Sequence, residues 1–394
     1  MCICEGGRWG RLFCAYGFDN STDLPIFEFV KRIFVISLLF AAAFIPRLLV
    51  CADSAEDEKR GVWSRMRSVK IVAAGDLMQH RPQVVAAQLD DTTKFDYRPS
   101  FRYVADRFRE ADIAIVNLET TLSERGPYTG YPCFRSPAEV ADAMADMGVD
   151  VAALANNHCC DRGAYGIEST ADILDKRGIC RVGVYQDSVD YQENNILYLE
   201  RYGIQFAVVN YTYGTNGINV PKGMVVNHLD SVAIGHDLAS INRDVVDCVI
   251  AVVHWGNEYE RQANREQRQM ADFMHRNGVD LIIGSHPHVV QPYDIRDDGK
   301  ITLYSLGNFV SNQRTRYRDG GLVATIDVTV VEQGCGKKLL NRRVDYDLNV
   351  TPVWVLLPEY EIIPSDVGAD VKMNYDSRFR YNRFMEDVRE LLEK

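Results

Sequence analysis

From Val69 onward the chain alternates short apolar runs with stretches of helical period, and this alternation restricts it to an α/β architecture. "VKIVAAGD" reads as a strand running into a loop, "FRYVADRFREA" as an amphipathic helix and "DIAIVNLE" as a second buried strand. In "SPAEVADAMADMG", Ser136 reads as N-cap, Pro137 as the first helical residue and Gly148 as the stop. Strand "VDVAALANNH", helix "GIESTADILDKRG" and strand "ICRVGV" follow. The second half repeats the style in "IQFAVVNYTY", "DCVIAVVHWG", a helix over 259–277, "VDLIIGSHPH", "ITLYSLGNF", "GLVATIDVTVVE" and "NVTPVWVLL". Short turns such as "DDGK" predict hairpins, and with them a second sheet that is partly antiparallel. A charged helix, "SRFRYNRFMEDVRELLEK", occupies the last residues.

The chain has 394 residues, 46% of them apolar, enough for a large core. No repeat, low-complexity segment or Pro, Gly and Ser-rich linker divides it, so residues 69–358 read as one domain and 359–394 as an extension ending in a helix. The net charge of -11, with no clustered run of Lys and Arg, argues against a nucleic-acid partner.

Residues 30–55, "VKRIFVISLLFAAAFIPRLLVCADSA", place two cations before an apolar run from Ile33 to Ile45 and small residues after it. This is the pattern of a secretory signal, and the run is too short for a membrane span. Export to the periplasm or cell envelope is expected. Residues 1–29 lack periodicity and precede the signal, so translation is expected to begin at Val30 from a GTG codon, with 1–29 a gene-calling artefact. Cys51 offers a lipoprotein alternative, but Val50 is bulky where a small residue belongs. The six cysteines after the signal form no CxxC pair, and Cys159 and Cys160 read as small buried filler rather than nucleophiles.

Several strand readings end alike, with an apolar run giving way at once to metal-binding residue types. "VAAGDLMQH" delivers Asp76, "AIVNLE" Asn117 and Glu119, "AALANNH" Asn157 and His158, "IAVVHWGNE" His254, and "LIIGSHPH" His286 and His288. Carboxyl ends of strands in an open α/β sheet line one crevice, so residues far apart in sequence can converge. In the HxH pair, strand alternation is expected to put both rings on one side. Each motif alone is weak, since a post-strand aspartate is commonly a cap and a lone histidine commonly a satisfied side chain. Together the mixed oxygen and nitrogen donors suit Zn, Mn or Fe rather than calcium.

The ordered set "GDLM", "NLE", "ANNHCCDRG", "HWGNEY", "GSHPHVVQ" and "YSLGNF" resembles the bacterial capsule synthesis protein CapA family, also called the poly-γ-glutamate synthesis family. That family looks like a branch of the calcineurin-like metallophosphoesterases. The resemblance implies a two-sheet α/β/β/α sandwich with two divalent metal ions at the strand ends. By the same resemblance Asp76, Glu119 and His288 would serve one ion and Asn157, His254 and His286 the second, with Glu119 as the bridging carboxylate. His158 would be the general acid toward a leaving oxygen.

Two departures from the phosphoesterase pattern stand out. Met78 occupies the place of the histidine in Asp-x-His, with His80 as the available substitute, and Glu119 is one methylene longer than the usual bridging aspartate. One strong and one weak ion is therefore an alternative to two tight ones. Such ions support hydrolysis by polarising the scissile group and lowering the pKa of water from ~15.7 toward ~7. Asp161 is placed to orient His158, or alternatively to cap the helix starting near Ala164. Arg135 and Arg314 are candidate anion clamps, because a guanidinium matches carboxylate and phosphate geometry. Three functional readings follow: a capsule or poly-γ-glutamate protein acting on an anionic polymer beside membrane-bound synthesis machinery, a phosphoesterase with another extracytoplasmic substrate, or a non-enzymatic assembly subunit.

Overall fold

The computed structural model describes residues 61–393, so the expectations for the start site, the signal and Cys51 lie outside the described residues. Residues 66–331 with 343–393 form one compact unit. Residues 61–65 with Glu332–Arg342 form a small second one, in which the Trp63 indole N–H donates to the Gly336 carbonyl at 2.9 Å.

Strand alternation builds the layers of the larger unit. On strand Val62–Leu77, Val69, Ile71 and Ala73 face one core while Val72 and Ala74 face another. Strand Ile113–Leu118 divides likewise, Ile113 and Ile115 from Ala114 and Val116. The first core lies between two sheets, where those residues meet Phe206, Val208, Ile250 and Val252 of the second sheet. Behind the first sheet, Phe101, Phe108, Met144 and Ile167 come from helical segments; behind the second, Ile234, Leu238 and Met274 do. The result is the α/β/β/α sandwich. Each sheet is buried on both faces, which is why its central strands read as near-continuous apolar runs.

The first sheet runs in the order Glu361–Pro364, Lys338–Leu356, Gly320–Cys335, Val62–Leu77, Ile113–Leu118, Val151–Ala153 and Cys180–Val182, with Asn308–Val310 also pairing to Val62–Leu77. The last four of that order pair in parallel. The second sheet is mixed. Ile204–Thr212, Cys248–His254, Leu281–Ser285 and Ile301–Leu303 are parallel, flanked by antiparallel Leu197–Arg201 and Tyr293–Ile295. The "DDGK" turn joins the latter hairpin as expected.

Local expectations failed where burial outweighed local signals. Ser136 does not cap a helix: Ser136–Pro137 pairs with Leu122–Ser123, the Ser136 hydroxyl meets that of Thr120 at 2.6 Å, and the helix begins at Glu139 after Ala138. Gly148 does end it, at φ 98°. The "FRYVADRFREA" helix is broken into Arg98–Phe101 and Ala105–Arg109, an arrangement that buries Phe101, Val104 and Phe108 together. The helix expected over 259–277 is Arg265–Arg276, because Asn264 and Gln267 form a reciprocal capping box, with bonds of 2.8 and 2.9 Å, that fixes its start.

Candidate metal centre

Asp76 owes its place to the glycine before it. A side chain on Gly75 would set its Cβ 2.1 Å from the Gly307 carbonyl oxygen, so only glycine lets the loop approach. That carbonyl accepts the Asp76 N–H at 3.0 Å, and the pairing with Ile113–Leu118 shifts register between Ala74 and Asp76. Glu119 follows the neighbouring strand and is held by its N–H to the Leu77 carbonyl at 3.0 Å. Asn157 and His158 follow Val151–Ala153, His254 is the last residue of Cys248–His254, and His286 and His288 follow Leu281–Ser285.

All these side chains are buried. Asp76, Glu119 and His254 offer ligand atoms within 4.8 Å of one another. His288 places Nδ1 2.8 Å from Asp76 Oδ2 and Nε2 3.8 Å from Glu119 Oε1. His254 Nε2 is 3.0 Å from Asn157 Oδ1 and 3.8 Å from Glu119 Oε1, and its ring centroid is 4.8 Å from that of His286. The six residues named as ligands thus lie in one continuous group.

Burial dominates the electrostatics of this group. Burial, and then the Asp76 charge, push the Glu119 carboxyl well above the usual carboxylate range. Burial also opposes the Asp76 charge, but the His288 ring and the Asn117 amide outweigh it and hold that carboxyl low. Burial lowers the imidazoles, His254 well below its ordinary value and His286 to about 4, with neighbouring histidines adding to the effect. Neutral rings keep a lone pair for a metal. Glu119 Oε1 and His286 Nδ1 are buried without any hydrogen-bond partner, an arrangement that costs free energy unless another group engages them. A divalent cation fits this donor set.

His158 Nδ1 lies 2.8 Å from Asp161 Oδ2. Asp161 is not a helix cap, since helix Gly163–Asp175 has Arg162 at that position and no side-chain cap. His80 stands at the start of helix Arg81–Ala86, where its Nδ1 accepts the Asn312 N–H at 3.3 Å and its ring packs edge-on against Phe134, which also meets His158. Burial lowers its pKa to about 4. Met78 is buried in the apolar core. Arg135 donates to the Ser123 hydroxyl at 3.2 Å and lies over the Tyr165 ring. Arg314 lines a cavity that shares no residue with the ligand group.

The HxH rings do not converge by strand alternation. The strand stops at Ser285, and His286 and His288 adopt φ of 101° and 55°, a left-handed loop conformation that is costly for residues with a Cβ. Sequence reasoning counted Asn117 among the metal-binding residue types at strand ends without assigning it to an ion; its Nδ2 lies 2.9 Å from Asp76 Oδ1, 3.4 Å from Glu119 Oε2 and 3.4 Å from His254 Nδ1. It overlooked Asn156, which holds Asn117 Oδ1 at 3.3 Å and takes the His158 N–H at 3.1 Å. It also overlooked Tyr213, whose ring packs 4.4 Å from His286. The signal for Tyr213 was its place just past a strand end.

The model of the bacterial capsule synthesis protein PGA_cap family matches residues 70–313. The chain belongs to this family. Relatives within the capsule synthesis group include "PGA biosynthesis protein CapA" of Bacillus subtilis (strain 168), 31% identical over 57% of this chain and 60% of that protein. "Capsule biosynthesis protein CapA" of Bacillus anthracis is 30% identical over 73% of this chain and 69% of that one. The match therefore spans less than two thirds of the Bacillus subtilis relative. Among solved structures, a phosphatase from Mycoplasma pneumoniae aligns over 72% of this chain and 95% of its own, at 14% identity and a TM-score of 0.42. That likeness is too distant to carry function.

Proposed function

We propose that this chain is an exported, metal-dependent hydrolase serving capsule or poly-γ-glutamate biosynthesis, with an anionic polymer or phosphoester as substrate and membrane-bound synthesis machinery as partner. One observation carries the catalytic part: Asp76, Glu119 and His254 converge in the interior, and Glu119 Oε1 beside them is unsatisfied. Family membership and the names of the Bacillus relatives support the capsule part. The pattern of residues 30–55 supports export.

Asp76, Glu119 and His288 would hold one ion, and Asn157, His254 and His286 a second sharing Glu119. The buried Met78 supplies no classical ligand and the Nδ1 of His80 is taken by the Asn312 N–H, which supports one strong and one weak ion. Bound ions would polarise the scissile group and acidify a water. Asp161 engages His158 at Nδ1, which leaves Nε2 as the nitrogen to deliver a proton to the leaving oxygen. Asn117 and Asn156 fix the carboxylates and the His158 backbone around them.

The decisive experiment combines metal analysis of the purified protein with turnover of phosphoester and γ-glutamyl substrates by wild type and His158→Ala. The expected result is stoichiometric Mn, Zn or Fe, with turnover abolished by chelation and by the substitution. Protein without stoichiometric metal would sink the proposal, and capsule function that survives His158→Ala would favour an assembly subunit.

A further inference from the structure

The protein carries 55 acidic against 44 basic residues, so arginines meet carboxylates readily. Arg98 pairs with Asp96, Arg177 with Asp142, Arg181 with Asp190 and Arg243 with Asp280. Arg314, Arg380 and Arg383 line one cavity of ≈ 590 Å³, and none of them is within salt-bridge distance of an acid among the described residues.

The cavity lies between the loop carrying Arg314 and the C-terminal helix Tyr375–Leu392. Arg380 and Arg383 stand three residues apart on that helix, a spacing at which like charges repel. Arg380 reaches the Arg314 carbonyl at 3.3 Å. Arg314 spends one nitrogen on the Val355 carbonyl at 2.8 Å and rests over the Trp354 ring. Burial opposes its charge, Arg380 adds to the opposition, and Asp319 relieves it in part. A fourth arginine, Arg316, is neutralised by both oxygens of Asp387 at 2.9 and 2.6 Å and ties the loop to the helix. The wall is therefore fixed, with four guanidinium groups facing the carboxylates of Asp319, Asp376 and Asp387, and Arg314, Arg380 and Arg383 stand beyond ion-pair distance of all three.

We propose that this cavity binds a carboxylate-bearing anionic chain at a site separate from the metal centre. The guanidinium groups suit oxyanions, and the rings of Phe379 and Phe384 offer apolar surface that methylenes between successive carboxylates would cover. A lone phosphate would leave those rings unused. The choice of a polymer rests on the capsule reading above.

The test is binding of fluorescent oligo-γ-glutamate to the full chain by anisotropy, compared among wild type, R380E/R383E and R380K/R383K. The charge-reversed variant is expected to bind roughly tenfold or more weakly, the lysine variant to recover part of the affinity, and binding to weaken with salt. Hydrogen exchange over residues 375–392 should slow when the oligomer binds. Equal affinity in wild type and R380E/R383E, or no binding by wild type, overturns the proposal. Displacement by inorganic phosphate at equal anion concentration overturns the polymer assignment in favour of a general oxyanion site. Absence of metal or turnover would strike the hydrolase reading and leave these isotherms unchanged.

Discussion

His158 Nδ1 and Asp161 Oδ2 lie 2.8 Å apart, and the same carboxylate oxygen accepts the backbone N–H of Phe134 at 2.6 Å. One side chain thus sets the imidazole and the segment whose Phe134 ring packs edge-on against it at 4.6 Å. Asp161→Ala should lower kcat on phosphoester substrates by about 10- to 100-fold with little change in KM, because the ring loses its orienting partner. It should also cost about 1–3 kcal/mol of stability, since the buried Phe134 N–H loses its acceptor. Steady-state kinetics with urea unfolding checks both; an unchanged kcat would refute the positioning role.

Asn117→Ala should leave the sheet intact and weaken metal binding by about 10- to 100-fold, the usual effect of removing a hydrogen bond that orients ligands. Competition with a chromogenic chelator measures this directly. Wild-type affinity in the variant would mean that the carboxylates are positioned without the amide.

Gly75→Ala tests the approach of the Gly307 loop. A Cβ 2.1 Å from a backbone oxygen forces the strand or the loop to move, so stability should fall by about 1–3 kcal/mol or more. Asp76 would move with it, and metal affinity should fall in parallel. A urea midpoint equal to wild type would show that the loop yields freely.

Acid sensitivity follows from His80 and His286, both lowered by burial from 6.5 to about 4. Between those values the unfolded chain takes up protons that the folded chain refuses, so protons favour unfolding. Their contribution is fully present above pH 6.5 and is lost as pH falls toward 4. Chelator-treated protein unfolded in urea at a series of pH values should lose stability across this window. His80→Gln should flatten the slope, and an unchanged slope would contradict the assignment for that residue.

The gathering of donors was legible because strand ends in this architecture share an edge, and Asp76, Glu119, His254 and His286 each stand at one. The layers were legible because both faces of the central strands are apolar. Ser136 was misread because a serine before a proline looks like a helix start, whereas its hydroxyl is used across the chain by Thr120. Asn117 was legible as a strand-end residue but not as the amide that holds the carboxylates, and Asn156 gave no signal, since an amide that holds other side chains looks like any polar residue until its partners are placed. Arg314 was a candidate anion clamp by residue type, and only the fold could say that the cavity it lines shares no residue with the ligand group.

The left-handed backbone at His286 and His288 has a consequence for how the chain tolerates change. Glycine or asparagine would relax both turns, so a selection that rewarded heat resistance alone should drift toward those residues and discard the imidazoles. Homologues that had lost the metal would then be recognisable by a softened Gly-Pro-Gly or Asn-Pro-Asn in place of His-Pro-His. A retained pair of histidines would mark the chains in which the ion is still wanted.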